Sequence, residues 1–418
     1  MNMKTEREYG MPIHYHPIFT NSFKFNSYTL NFLLPLSEEN ATCCALLAQI
    51  LKRGCKKYGE MDRIAARLEE LYGASVSISS DKIGENLSFT VQAYFIDDRF
   101  TLEGEKITED VLDLTAELLL NPLTSDSGFK QDFFDQEKQN HFDFIAGLIN
   151  DKRMYSMIRC KEIMFSDSAY RFTSAGSLEC LEKLTNQKLF TFYQNMLKNS
   201  EVTVTYIGRE LDLSALTEKY FPVENNDLAL KGSGKIVVPE QPNYISEAFD
   251  VAQGKLCLGY RFVKETEYYA TRLFNVIFGG SPTSKLFNNV RERLSLCYYC
   301  SSTVDHCVHS MFISSGIEFK NYDVAKQEIF HQLEDMKIGN ITDEEFENGK
   351  LYLIDVIKGM RDSHGALLAD VLRGKLLGIS DSVEQQIEKI SKLNKQDIMA
   401  VAECAALDTV YFLKGQEV

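Results

Sequence analysis

Two stretches of this chain repeat the same order of elements, and that duplication constrains the fold more than any other feature. Residues 30–36 read Leu-Asn-Phe-Leu-Leu-Pro-Leu and residues 256–262 read Leu-Cys-Leu-Gly-Tyr-Arg-Phe, both apolar enough for a buried strand. The blocks that follow, 37–54 and 263–280, keep the same offset without a gap, and each closes on glycine. After a short slip, Arg67-Leu68-Glu69 lies against Arg291-Glu292-Arg293, and a strand pair follows in both halves. Identities are few, but element order and length agree, which is the mark of an internal repeat. At 418 residues the chain is too long for one ordinary core, and two lobes of roughly 200 residues each are the natural division. The predicted fold class is α+β: two homologous lobes, each a mostly antiparallel sheet flanked by helices. The polar, Gly- and Pro-containing stretch PVENNDLALKGSGKIVVPEQP lacks helical periodicity and marks the boundary. The lobes are placed at 1–225 and 243–418, with a linker at 226–242.

Within the first lobe, a buried strand over 29–36 leads into an apolar helix over 41–53. Met61, Ile64, Ala65, Leu68 and Leu71 then fall at helical spacing, with Gly73 as the stop. ASVSISSDKIGENLSFTVQAYF alternates on both sides of a polar turn, the pattern of a hairpin. Helical segments dominate from Thr108 to Leu197. EVTVTYIG (201–208) returns as a strand, with a short helix near 212–219.

A formal charge of −15 argues against nucleic acid or an anionic membrane as the main partner. No stretch approaches the ~20 apolar residues of a membrane span. The first residues, MNMKTEREYGMPIHYHPIF, carry charge but no apolar core of a signal peptide. The ten cysteines are scattered, mostly inside apolar periodic stretches, as in a reduced, cytoplasmic protein.

The run ALLAQILKRGCKKYGEMDRIAARLEELYGASVSISSD (45–81) resembles the region around the inverted zinc motif, H-x-x-E-H, of the insulinase-type (M16) peptidases, which include pitrilysin and the mitochondrial processing peptidase. The trailing half of that pattern is kept, in Arg53-Gly54 and in Leu68-Glu69-Glu70-Leu71-Tyr72-Gly73-Ala74. The metal-binding half is not. Where the family places His, Glu and His, this chain has Ala45, Ala48 and Gln49. That spacing sets three side chains on one helical face, which suits two ligands and a water-activating base. Two methyl groups and a neutral amide can do neither job. The family's third ligand is a Glu seven residues after another Glu; the first resembles Glu137, so the ligand position falls on Phe144. Asp143 sits one residue away, but one carboxylate without imidazole partners makes no zinc site.

In the second lobe, GGSPTSKLFNNVRERLSLCYYC (279–300) resembles the family segment that supplies a substrate-binding Arg and Tyr, and those positions match Arg291 and Tyr298. The family's Gly before Leu-Ala-Tyr is Ser295 here, and its third glycine after Gly279-Gly280 is Ser281. The structural alternative has Arg291 pairing at a helix end and Tyr298 packed in a strand. The resemblance implies a non-catalytic subunit with no cofactor of its own, zinc being expected only in a partner chain. The partner would be a zinc-bearing M16 homologue in a heterodimer, or a second copy in a homodimer, and the ligand an unfolded peptide. The rival reading is a scaffold or peptide-binding protein with no catalytic role. No peptidase activity is expected of the isolated chain.

Several motifs carry weaker signals. KGSGK (231–235) lacks the glycine and the Ser/Thr of a phosphate loop and reads as linker. Cys297 and Cys300 have redox spacing, but along a regular strand they face opposite sides. Asp305, His306, Cys307 and His309 hold metal-ligating atoms in one short turn without a matching cluster elsewhere. His14 and His16 read as surface or packing residues, and His364 as a histidine at a helix C-terminus.

Overall fold

The computed structural model describes residues 13–125, 128–220, 232 and 234–415. The segment read above for leader character lies mainly outside the described residues, as do 226–231 and 233 of the expected linker and Lys231 and Ser233 of KGSGK. The chain divides into two compact units.

The first unit is built on a five-stranded sheet of β1 (Ile13–Phe19), β2 (Phe25–Pro35), β3 (Ser75–Ile83), β4 (Asn86–Ile96) and β5 (Glu201–Gly208). The strand order is β1-β5-β2-β4-β3, with β1 parallel to β5 and every other pair antiparallel. The β3–β4 hairpin closes on Gly84-Glu85, tighter than the polar turn read from the sequence, and Gly84 takes the left-handed φ such a turn needs. Against the hairpin packs α1 (Glu38–Leu51). Ser37 starts that helix by accepting the Asn40 amide, and two glutamates occupy its first turn. Its apolar residues are buried on most sides, as befits a helix inside a layer. The next helix, α2 (Met61–Glu70), buries only Ile64 in full. After it in the chain come a helix over Thr108–Leu120 and the long α3 (Gln131–Gly147).

The second unit repeats this plan. Its strands are β6 (Asn243–Phe249), β7 (Gly254–Phe262), β8 (Cys297–Asp305), β9 (Ser310–Ile317) and β10 (Ala405–Gly415). They order β6-β10-β7-β9-β8, again with one outer parallel pair, β6 with β10. Sheet topology is therefore duplicated strand for strand, although few side chains are. Both lobes also begin one strand earlier than the apolar runs indicate. β1 and β6 are edge strands with mostly exposed or half-buried residues, and β1 contains Pro17, so neither shows the apolar run that reveals β2 and β7.

The units do not follow the chain in two uninterrupted halves. Residues 147–171 belong to the second unit and residues 364–371 to the first. The former include α4 (Lys152–Met164), which lays Cys160 against Cys257, Tyr411 and Leu413 of the second sheet. Arg159 anchors the same helix by donating to Glu247 at 2.7 Å. Where β2 resembles β7, the helix after β7 differs: Tyr268–Asn275 runs on into a π-helical stretch, Val276–Gly280. No helix among the described residues is long and apolar enough to cross a membrane.

Candidate functional site

α1 brings Ala45, Ala48 and Gln49 onto one face, as the spacing requires. Ala48 is buried, Ala45 half-buried and Gln49 exposed. At the end of α1 the chain turns through Lys52, Arg53 and Gly54. Only glycine serves at 54: a Cβ there would sit 2.4 Å from the Gly59 carbonyl oxygen, and φ is +155°. That tight turn aims Arg53 at α3. Arg53 donates from Nη1 to Glu137 Oε1 at 2.9 Å, and its guanidinium lies 4.6 Å from the Phe133 ring centroid. The second Glu137 oxygen accepts from Asn140 at 3.2 Å.

One turn beyond Glu137 stands His141, buried and hydrogen-bonded through Nε2 to the Ala175 carbonyl at 2.8 Å. Burial holds its imidazole below the ordinary histidine range, so the ring is neutral near pH 7. The next turn carries Phe144, exposed, its ring nearly parallel to that of His141 with centroids 6.0 Å apart. Ala175-Gly176-Ser177 ties the two helices together, because the Ser177 amide donates to Thr42 Oγ1 at 3.2 Å and the Ser177 hydroxyl to Glu38. Gly176 is indispensable there: at φ +76°, a Cβ would lie 2.0 Å from Thr42 Oγ1.

These residues do not fit a zinc ion. Ala45, Ala48 and Phe144 present no donor atom, and Gln49 offers a neutral amide. The nearby groups of ligand type are committed elsewhere, Glu137 to Arg53 and Asn140, and the His141 ring nitrogen to Ala175. Among the described residues no group of three or more His, Cys, Asp or Glu converges as a metal site. The sequence reading overlooked His141, although its i+4 position after Glu137 on a helix was available as a signal.

In the second unit, Arg291 lies in a π-helical stretch, Leu286–Arg293, and Tyr298 just beyond it on β8. π-turns are uncommon and concentrate at functional sites. Arg291 Nε is 3.4 Å from Glu292 Oε1, and its guanidinium is 4.7 Å from the Phe287 centroid. Tyr298 is 64% exposed, so it is not packed into the strand's core face. It is also left out of the β8–β9 ladder, which passes from Cys297↔Ile317 to Tyr299↔Gly316. That bulge corrects the expectation for the cysteines. Cys300 pairs with Ser315, two ladder steps from Ile317, so Cys297 and Cys300 face the same side.

The remaining motifs resolve structurally. Asp305 accepts from Tyr170 Oη at 2.6 Å and from the Cys307 amide at 3.0 Å. His306 is tilted against Tyr268 with centroids 4.5 Å apart, and burial, with the Arg272 and Arg373 charges, lowers its pKa to about 3. His14 is an exposed edge-strand residue 3.2 Å from Glu201 Oε1. His364 opens the helix His364–Leu377 rather than closing one, because the chain breaks at Ser363. Its Nε2 lies 3.2 Å from the Phe25 carbonyl, with Phe23 and Tyr94 around the ring.

Residues 183–353 match the family model described as the peptidase M16 inactive domain. The chain is 29% identical over 408 residues to a probable inactive metalloprotease, YmfF, of Bacillus subtilis (strain 168), covering 96% of each chain. Among solved structures, a conserved protein from Enterococcus faecalis V583 superposes with a TM-score of 0.89 at 27% identity, covering 97% of each chain. A peptidase M16 inactive domain from Pseudomonas fluorescens superposes with a TM-score of 0.76 at 16% identity, covering 98% of this chain and 97% of that one.

Proposed function

We propose that this chain is a non-catalytic member of the M16 peptidase family and the subunit of a two-chain zinc peptidase, to which it contributes half of a peptide-binding chamber and the pair Arg291 and Tyr298. The observation that carries the reading is a contrast. Where the resemblance places the zinc ligands and base the chain has Ala45, Ala48, Gln49 and Phe144, whereas Arg291 and Tyr298 match the resemblance's substrate pair, and Tyr298 projects from a bulge into solvent.

A guanidinium and a phenol converging on a peptide carbonyl donate hydrogen bonds where negative charge develops during hydrolysis, and removal of one such donor costs on the order of 3 kcal/mol. That assistance has value only beside a metal-bound water, so the zinc belongs to the partner. An unfolded peptide is recognised by adding to a sheet edge, where main-chain bonds supply affinity with little sequence preference. β3 is such an edge, with Ser75, Ser77 and Ser79 exposed along it. Ten unpaired cysteines, nine of them buried, fit a reducing cytoplasm.

A second reading has one observation in its favour. Arg291 already has local company in Glu292 and Phe287, which suits a scaffold or peptide-binding protein with no catalytic role. The two separate in one assay: peptidase activity and zinc content of this chain alone, of an H-x-x-E-H homologue alone, and of the mixture. A subunit raises turnover above that of the zinc-bearing chain. A scaffold leaves it unchanged.

A further inference from the structure

Cys297 and Cys300 are an odd number of residues apart, yet the bulge at Tyr298 removes one residue from the count and turns both thiols to one face. Their ladder partners are two steps apart, about 6.6 Å along the strand. That lies at the upper end of the roughly 4.4–6.8 Å between Cα atoms that a disulfide spans. Ser315, the ladder partner of Cys300, donates its hydroxyl to the Tyr299 carbonyl at 2.9 Å, between the two cysteines. They are also unequal. Cys297 is at the rim, 9% exposed, and the hydrogen bond from Cys300, with help from Ser315 and the Arg291 charge, holds its thiol below the ordinary range. Cys300 lies beneath at 4% exposure, its thiol pushed well up by its bond to Cys297 and by burial. An outer, thiolate-prone sulfur backed by an inner, protonated one is the arrangement that thiol–disulfide exchange uses.

We propose that Cys297 and Cys300 form a thiol-modification site that takes a low-molecular-weight disulfide as its oxidant, with Cys297 the attacking sulfur and Cys300 the resolving one. The Cys297 thiolate attacks one sulfur of the reagent, forming a mixed disulfide and expelling the other half as a thiolate. Cys300 then loses its proton and attacks the Cys297 sulfur, forming the intrachain bridge and releasing the second half. Two protein thiols are oxidised, one small disulfide is reduced to two thiols, and the protons lost by the cysteines end on those thiols. Closure draws the strand ends of the bulge together and so displaces Tyr298. The thiol chemistry stands without the function proposed above; only its consequence for peptide turnover rests on that reading.

The test uses the full chain with no partner and no peptide. The protein is equilibrated with glutathione disulfide, free thiols are blocked with an alkylating reagent, and peptides are mapped by mass spectrometry. The expected result is a 297–300 bridge in the wild-type chain and, in Cys300→Ser, a stable glutathione adduct on Cys297. Cys160 and Cys257, a second adjacent pair with no exposure, serve as the internal control and stay reduced. Full alkylation of Cys297 and Cys300 after the treatment overturns the proposal, as does oxidation of Cys160 and Cys257 to the same extent. A folding defect in Cys300→Ser leaves the wild-type map decisive.

Discussion

Arg53 and Glu137 meet at 2.9 Å, tying the turn that follows α1 to the long helix α3. Glu137 is buried, and Arg53 Nε is buried without a hydrogen-bond partner among the described residues, so the pair is poorly screened. Glu137→Ala leaves that guanidinium uncompensated and is expected to destabilise the chain by about 2 kcal/mol. Glu137→Gln, which retains an acceptor, costs about half as much. Urea unfolding measures both; equal stability of Glu137→Ala and wild type would show the pair to be incidental.

If the metal face has been erased in place, it can be rebuilt in place. The combined substitutions Ala45→His, Ala48→Glu, Gln49→His and Phe144→Glu are expected to retain one zinc per chain through gel filtration, measured by elemental analysis. Omitting Phe144→Glu leaves two of three protein ligands and is expected to lose the zinc on gel filtration. Ala48→Glu alone puts a carboxylate at a buried position without a partner and costs about 2 kcal/mol. A quadruple variant that folds and holds no zinc would show that these four positions do not correspond to the family's ligands.

Stability is expected to fall as pH drops from about 6.5 to 5, the range in which unfolded histidine takes up its proton. His306 binds no proton in the fold until about pH 3. The unfolded chain therefore holds more protons throughout that window, and each such histidine contributes a slope of at most about 1.4 kcal/mol per pH unit. His141, His309 and His364 are depressed by burial and act with the same sign. His306→Phe keeps an aromatic ring against Tyr268 and is expected to flatten the slope, read from urea midpoints at several pH values. An unaltered slope would assign the acid sensitivity to other groups.

The duplicated plan was legible because β2 and β7 are apolar runs followed by blocks of equal length. The five-strand order was not, since β1 and β6 are polar edge strands with little periodicity. Nor does anything in residues 147–171 announce that they pack with the second unit; the partners of Arg159, Cys160 and Tyr170 reveal it. That Ala45, Ala48 and Gln49 share one face of α1 could be read directly, because helical spacing fixes it. The orientation of Cys297 and Cys300 could not, because counting by twos along a strand fails wherever a residue bulges out. His364 was misplaced for a similar reason: the break at Ser363 turns a helix end into a helix start.

The division of labour between two chains is tested most directly by measuring peptide turnover in a mixture of a zinc-bearing homologue with wild-type, Arg291→Ala or Tyr298→Phe protein, while following association by sedimentation. The proposed role predicts that both variants associate normally, with kcat reduced about 100-fold by Arg291→Ala and about 10-fold or more by Tyr298→Phe. Turnover equal to that of the wild-type mixture, with association intact, would contradict it.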